Sequence, residues 1–138
     1  MNDVDALVAT YLRGVTDGDV AVLLRLFAAD AVVHSPLYGP LPPAEFYPQL
    51  FADTGAAVLT LKSVLRGADM DGTPTVAFWF HFDWRLPSGA AAPFDVVDMA
   101  RLDDDGRITE LHLVYDTVDV RPAFEAETGS SWRQDISR

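Results

Sequence analysis

The chain has 138 residues, 21 of them acidic and 10 basic, for a net charge of −11 with histidine neutral, and it has no cysteine. That length suits one domain with a real core, and a hydrophobic share of 49% argues against disorder. A surface this negative repels phosphate backbones and anionic lipid heads, which disfavours nucleic-acid and membrane-surface roles. The lack of thiols removes disulfides, thiol catalysis and thiolate metal sites.

The N-terminus, MNDVDALVATYLRG, has acidic residues before its apolar ones and no basic leader. It does not read as a signal peptide, no apolar run approaches the roughly 18 residues of a membrane span, and the default location is the cytoplasm. Val4, Leu7, Val8, Tyr11, Leu12 and Val15 recur at helical steps, with Asn2 or Asp3 as cap. TDGD at 16–19 breaks that helix, and Asp19 caps a second through Val22, Leu23, Leu26 and Phe27. AADAVVHSP reads as a short strand ending near Pro36. In the following YGPLPPAEFYPQLF, prolines 42 and 43 suit a first helical turn and Pro48 limits the helix to a short piece.

From Ala56 the hydrophobic period becomes two, predicting strands over 57–66, 74–86, 92–102 and 107–119 separated by GADMDG, PSG and DDDG turns. The tail from Arg121 is polar apart from Phe124, Trp132 and Ile136. Helices first and an antiparallel meander afterwards define an α+β domain over 1–124 with a tail over 125–138. The sheet is expected to curl into a cone, with the helices over its open side and a pocket between.

Which side chains enter that pocket depends on one turn. If Ser88-Gly89 is a two-residue turn, Trp79 lies opposite Asp98, His81 opposite Val96 and Asp83 opposite Phe94, all on one face. Phe78, Phe80, Phe82 and Trp84 then share the other face with Asp95, Val97 and Met99, and call for burial in a homodimer through the sheet. A three- or five-residue turn flips the strand, so that the aromatics point inward and His81 and Asp83 outward. In the first register His81 and Asp98 are diagonal neighbours with Cα atoms roughly 7–8 Å apart. Asp98 interrupts the apolar run FDVVDMA, where a carboxylate needs a partner or a purpose.

The stretches ALVATYLRGVTDGDVAVLLRLFAADAVVHSP and FDVVDMARLDDDGRITELHLVYD resemble the nuclear transport factor 2-like superfamily over nearly the whole chain. Ketosteroid isomerases, limonene epoxide hydrolase and SnoaL-type polyketide cyclases belong to it. The resemblance implies a cystatin-like cone and a homodimer, and the chemistry expected below needs no cofactor. The isomerase pattern puts the oxyanion tyrosine on Tyr11, its supporting tyrosine on Tyr47, the protonated aspartate on Asp98 and a pocket aromatic on Tyr115. Where those isomerases carry their catalytic Asp before Pro, this chain has Ser35-Pro36. The epoxide hydrolase aligns across the RLPSG hairpin, but its Arg and catalytic Asp fall on Trp79 and His81 and its other Asp near Leu113. The SnoaL-type cyclases place a catalytic aspartate at Asp98 and use a histidine on a neighbouring strand, as His81 would be.

The resulting expectation is a small enzyme that enolises a hydrophobic, polyketide-like carbonyl compound and cyclises or isomerises it, with Asp98, His81 and Tyr11 catalytic. Tyr47, Ser35, Trp79, Phe94, Val96, Leu113 and Tyr115 would contact the ligand. The alternatives are a non-catalytic binding or dimerisation module and, as a minor option, an epoxide hydrolase. Strand alternation turns His34 and His112 away from the pocket, although the prolines near His34 leave it a second-rank base. The three histidines show no HxH or HxxxH spacing, so no metal site is expected, and DDDG at 103–106 reads as a hairpin turn rather than a calcium loop.

Overall fold

The computed structural model describes residues 3–132. Helices α1 (Asp3–Asp17) and α2 (Val20–Leu24) lead into β1 (Phe27–Ser35) and β2 (Gly39–Leu41), followed by α3 (Pro43–Ala52). Four long strands follow: β3 (Ala56–Ala68), β4 (Pro74–Arg85), β5 (Phe94–Leu102) and β6 (Ile108–Val114), with a last helix α4 (Arg121–Thr128). The class is α+β. One six-stranded sheet runs β2-β1-β6-β5-β4-β3, antiparallel except where β1 lies parallel to β6. Register shifts at Phe27/Val32, Leu61/Ser63 and Arg101/Leu102 are the bulges that let long strands bend into a curved sheet.

The helices cover the concave face. Val8, Tyr11 and Val15 form the buried stripe of α1, and a Cβ at Gly14 would come within 2.8 Å of Leu23, so glycine is what permits the close approach of α1 and α2. Asp19 caps α2 through its Oδ1, which accepts from the Val22 amide at 3.1 Å. That helix is shorter than its periodicity predicts, since Phe27 already belongs to β1 and packs against Tyr47. Helix α3 is short, 10 residues, and runs through Pro48 to Ala52. Pro48 and Ala44 are exposed, so the Ala44 carbonyl that loses its donor is open to water, while buried Phe46, Tyr47 and Leu50 hold the helix down. Helix α4 brings Phe124 edge-on to Tyr38 and across Trp84. Ile136 lies outside the described residues.

The β4–β5 hairpin corrects the expected register. The Gly89 amide donates to the Leu86 carbonyl at 2.8 Å and the Leu86 amide to the Ala90 carbonyl at 3.0 Å, which makes Pro87-Ser88-Gly89 a three-residue loop. Gly89 adopts φ 91°, the left-handed conformation this loop requires at its last position. Phe78 therefore pairs with Asp98, Trp79 with Val97, Phe80 with Val96 and His81 with Asp95. The faces of β5 and β6 are as expected, but β4 is turned over. Phe78, Phe80, Phe82 and Trp84 point into the concave core, at most 6% exposed, while Trp79 is 41% exposed on the convex side. Burying four large aromatic side chains is worth roughly 1.5–3 kcal/mol each, and the two-residue register would have turned them all out.

Phe80→Ala is accordingly expected to destabilise the protein by about 3–5 kcal/mol and Trp79→Ala by much less. Urea unfolding of the two variants checks the register, because the reverse order would restore the two-residue turn.

Candidate functional site

The concave face of β4, β5 and β6 meets α1, α3 and the β1–β2 turn in a cleft of about 450 Å³, mouth included. Its walls are almost entirely apolar. Phe80, Phe82, Trp84 and Phe94 form one side, with Phe94 stacked on Tyr115 at 4.2 Å between ring centroids and on Phe82 at 5.1 Å. Val15, Leu37, Phe46, Leu50, Val96 and Leu113 complete the lining.

Among the described residues, Asp98, Tyr11, Tyr115, Ser35 and Tyr38 bring polar groups to its lining. Asp98 is central. The alternation of β5 sends Val96, Asp98 and Ala100 inward, and Asp98 is 1% exposed. Neither of its carboxylate oxygens has a hydrogen-bond partner of good geometry among the described residues. Burial pushes its pKa up to about 8, and the hydroxyl of Tyr11 nearby pulls only weakly the other way. A carboxyl kept from water in this way holds its proton at neutral pH and becomes a strong base once it loses it.

Tyr11 is held by a hydrogen bond from Tyr47, whose hydroxyl donates to the Tyr11 oxygen at 3.0 Å. With its oxygen accepting, Tyr11 has its own proton free for Asp98 or for a ligand. Burial raises the pKa of Tyr11 well above the usual phenol value, and Tyr47 and Asp98 add to the shift, so it acts as a donor and stays neutral. Tyr47 is fully buried behind Tyr11 and supports it without lining the cleft. Across the cleft, the Ser35 oxygen accepts from the amides of Leu37 (3.1 Å) and Tyr38 (3.2 Å), which fixes the turn after β1. Both acceptor positions face backbone, which leaves the Ser35 proton for the cleft side. Tyr115 is raised by burial, with the Ser35 hydroxyl opposing that shift.

Of the expected site residues, the fold brings Asp98, Tyr11, Ser35, Phe94, Val96, Leu113 and Tyr115 into one cleft, with Tyr47 immediately behind. His81 and Trp79 are not part of it. The three-residue hairpin turns both to the convex side, where the His81 Nδ1 lies 2.7 Å from Asp95 Oδ1 and Lys62 sits over the Trp79 ring. His34 and His112 are also outside, with rings stacked 4.1 Å apart. Phe80, Phe82 and Trp84 take the places foreseen for Trp79 and His81. Their signal was the hydrophobic alternation itself, in a strand whose aromatic set exceeds anything opposite it.

The residues define an apolar cone with one isolated, protonatable carboxyl and a supported tyrosine donor, and the SnoaL-like domain family matches the chain over residues 8–111. The chain belongs to that family. Among solved structures it is similar to wild-type IdmH from Streptomyces antibioticus, a candidate polyketide cyclase, with 20% identity, TM-score 0.68, and coverage of 93% of this chain and 99% of that one. It is similar to the Δ5-3-ketosteroid isomerase from Mycobacterium sp., with 23% identity, TM-score 0.64, and coverage of 86% and 97%. A third likeness is to SalBIII, an epoxide hydrolase/cyclase-like enzyme in pyran ring formation in polyether salinomycin, with 19% identity, TM-score 0.67, and coverage of 85% and 93%. At these identities the likeness is one of fold.

The raised pKa of Asp98 has a consequence for stability. A group whose folded pKa exceeds its unfolded value of about 3.9 contributes most below that value, and its contribution falls as pH rises through the folded pKa. The stability of Asp98→Asn relative to wild type should therefore increase from pH 5 to pH 9. Urea unfolding of both proteins at the two pH values measures it, and a constant difference would mean that the carboxyl is not desolvated.

Proposed function

We propose that the protein is a cofactor-free acid/base enzyme that enolises a flat, hydrophobic carbonyl compound and closes a ring or shifts a double bond in it. The observation that carries this reading is Asp98, a buried carboxyl with no hydrogen-bond partner of good geometry among the described residues, in an apolar cleft beside a tyrosine donor. Three stacked aromatic rings and a thin cavity favour a planar substrate of the polyketide type. The likeness to a candidate polyketide cyclase and to a ketosteroid isomerase supports the same chemistry.

In this mechanism the Asp98 carboxylate takes a proton from the carbon next to the substrate carbonyl. Tyr11, backed by Tyr47, donates to the enolate oxygen as charge develops there. For a ring closure the enolate carbon attacks a second carbonyl of the same molecule, and the alkoxide formed takes the proton back from Asp98. For an isomerisation Asp98 returns it to a different carbon. One residue serves as base and then acid, so the absence of His81 from the cleft and the presence of Ser35 before Pro36 leave the cycle complete. Epoxide hydrolysis has less support, because among the described residues Asp98 is the one carboxylate lining the cleft, with no second acid beside it to activate water. If no proton moves, the same cleft is a binding site with Asp98 as a fixed polar contact.

The proposal extends to assembly and location. The convex face exposes Val58, Leu65, Trp79, Met99 and Val114 across β3 to β6, an apolar area that a second copy of the chain would cover. This replaces the expected interface of Phe78, Phe80, Phe82 and Trp84, which are core residues. No described helix is long and apolar enough to cross a membrane, and the setting we propose is the cytoplasm.

Deuterium exchange at the α-carbon of 2-tetralone, followed by proton NMR, tests the chemistry on a flat enolisable ketone. Wild type should accelerate exchange over buffer, Asp98→Asn should lose at least about 100-fold and Tyr11→Phe about 10–100-fold. Because the carboxylate is the active form, the rate should rise with pH and level off above about 8. Exchange that is unchanged in Asp98→Asn would end the proposal, and tight binding of the ketone without exchange would leave a binding module. Sedimentation at micromolar concentration should give a dimer mass for wild type and a monomer for Trp79→Glu.

A further inference from the structure

On the convex face, remote from Asp98, the sheet assembles three metal-ligating side chains that no single segment of sequence contains. The parallel pairing of β1 with β6 sets His34 opposite His112 and Val32 opposite Glu110. Glu110 and His112 project from the same side of β6, and the His34 and His112 rings stack at 4.1 Å with planes 4° apart. The Glu110 Oε2 lies beside both imidazoles, 3.0 Å from His34 Nε2 and 4.0 Å from His112 Nε2. One ligand atom from each of the three falls within 4.8 Å of the others.

We propose that His34, Glu110 and His112 form a binding site for a borderline divalent metal ion of the zinc type. Two imidazole nitrogens and a carboxylate oxygen are a donor set that suits Zn²⁺, with a fourth position left for water or for a group from a second chain. Tetrahedral bonds of about 2.0–2.2 Å hold donors roughly 3.3–3.5 Å apart. From the present spacing the widest donor pair must close by up to about 1.5 Å, the His34–Glu110 pair must open slightly, and the rings must turn out of parallel so that their lone pairs converge. All three side chains are between a third and a half exposed, which leaves them free to make that turn. His34 must present Nε2 without its proton, held instead on Nδ1.

Glu110 is prepared for this role by a neighbour. Arg101 lies opposite it on β5, and its Nη1 donates to Glu110 Oε1 at 3.2 Å, so that Oε2 is the oxygen turned to the histidines. A carboxylate fixed by a hydrogen bond behind it is the usual support for a metal ligand. The guanidinium charge does not stand against a cation unopposed, since Arg101 also pairs with Asp69 at 2.5 Å and Asp71 at 3.4 Å. The spacing rule that argued against a metal looked along one strand, whereas this set is closed across two.

Isothermal titration calorimetry of the full chain with zinc chloride, after treatment with a chelator, tests the site. Wild type should bind one ion per chain in the micromolar range. Affinity should fall at least about 10-fold in His112→Ala and in Glu110→Gln, the second of which keeps size and shape. His81→Ala, which removes the remaining histidine, should bind as wild type does. No saturable heat up to millimolar zinc would overturn the proposal, as would unchanged affinity in His112→Ala and Glu110→Gln. Loss of binding in His81→Ala alone would also overturn it, by placing the ion at His81 and Asp95.

Discussion

The burial of the aromatic face of β4 is the constraint from which the rest of the structure follows. Phe78, Phe80, Phe82 and Trp84 need a dry side, and the Pro87-Ser88-Gly89 loop sets the register that provides it. Once these four face inward, Tyr11 of α1 packs edge-on against Phe78 at 5.3 Å, and Trp84 donates its indole N–H to Thr54 at 2.8 Å just after α3. The helices are thus docked on the same residues that wall the cleft. The core and the site are one object, and a change made for the ligand is also a change in what holds the helices to the sheet.

That coupling makes Asp98 costly. A carboxyl opposite Phe78, with no hydrogen-bond partner among the described residues, lowers the stability of the fold whenever it ionises. A valine there would pack as well and would carry no such burden. Such groups tend to mark sites, and the proposed function gives this one a use: the environment makes the carboxylate basic and sets Tyr11 beside it. The expense of one unsatisfied acid is spread over the large aromatic core around it.

Much of this was legible in the chain. The helical stripe of α1, the capping Asp19, the period-two strands after Ala56 and the anomalous Asp98 each carried a local signal that the structure bears out as placement. Tyr11, Tyr47, Ser35 and Tyr115 could be set near Asp98 through the resemblance alone, since nothing in their own neighbourhoods distinguishes them from core or surface residues. The orientation of β4 was legible in part. Its aromatic alternation pointed inward, but PSG is compatible with a turn of two or of three residues, and a shift of one residue moves His81 from the cleft to the outside. The deciding quantity was the total area to be buried, which is a property of the folded sheet. Helix α3 is the short piece that Pro48 implies, and it continues past the proline because the orphaned carbonyl is exposed and the other face is anchored.

The turned strand also explains the convex face. His81 and Asp95, freed from the core, pair with each other, and Arg101 gathers Asp69, Asp71 and Glu110 around itself. Polar side chains thus sit at both ends of an apolar band of Trp79, Val97, Met99 and Val114, the area that the proposed dimer would cover. His34 and His112 adjoin that band beside Met99, which pairs with His112 across β5 and β6. A curved sheet separates the two chemistries by nothing more than alternation. Odd and even positions of β5 give Asp98 to the dry cleft and Arg101 to the wet side, so a buried acid and an exposed ion-pair cluster stand three residues apart on one strand.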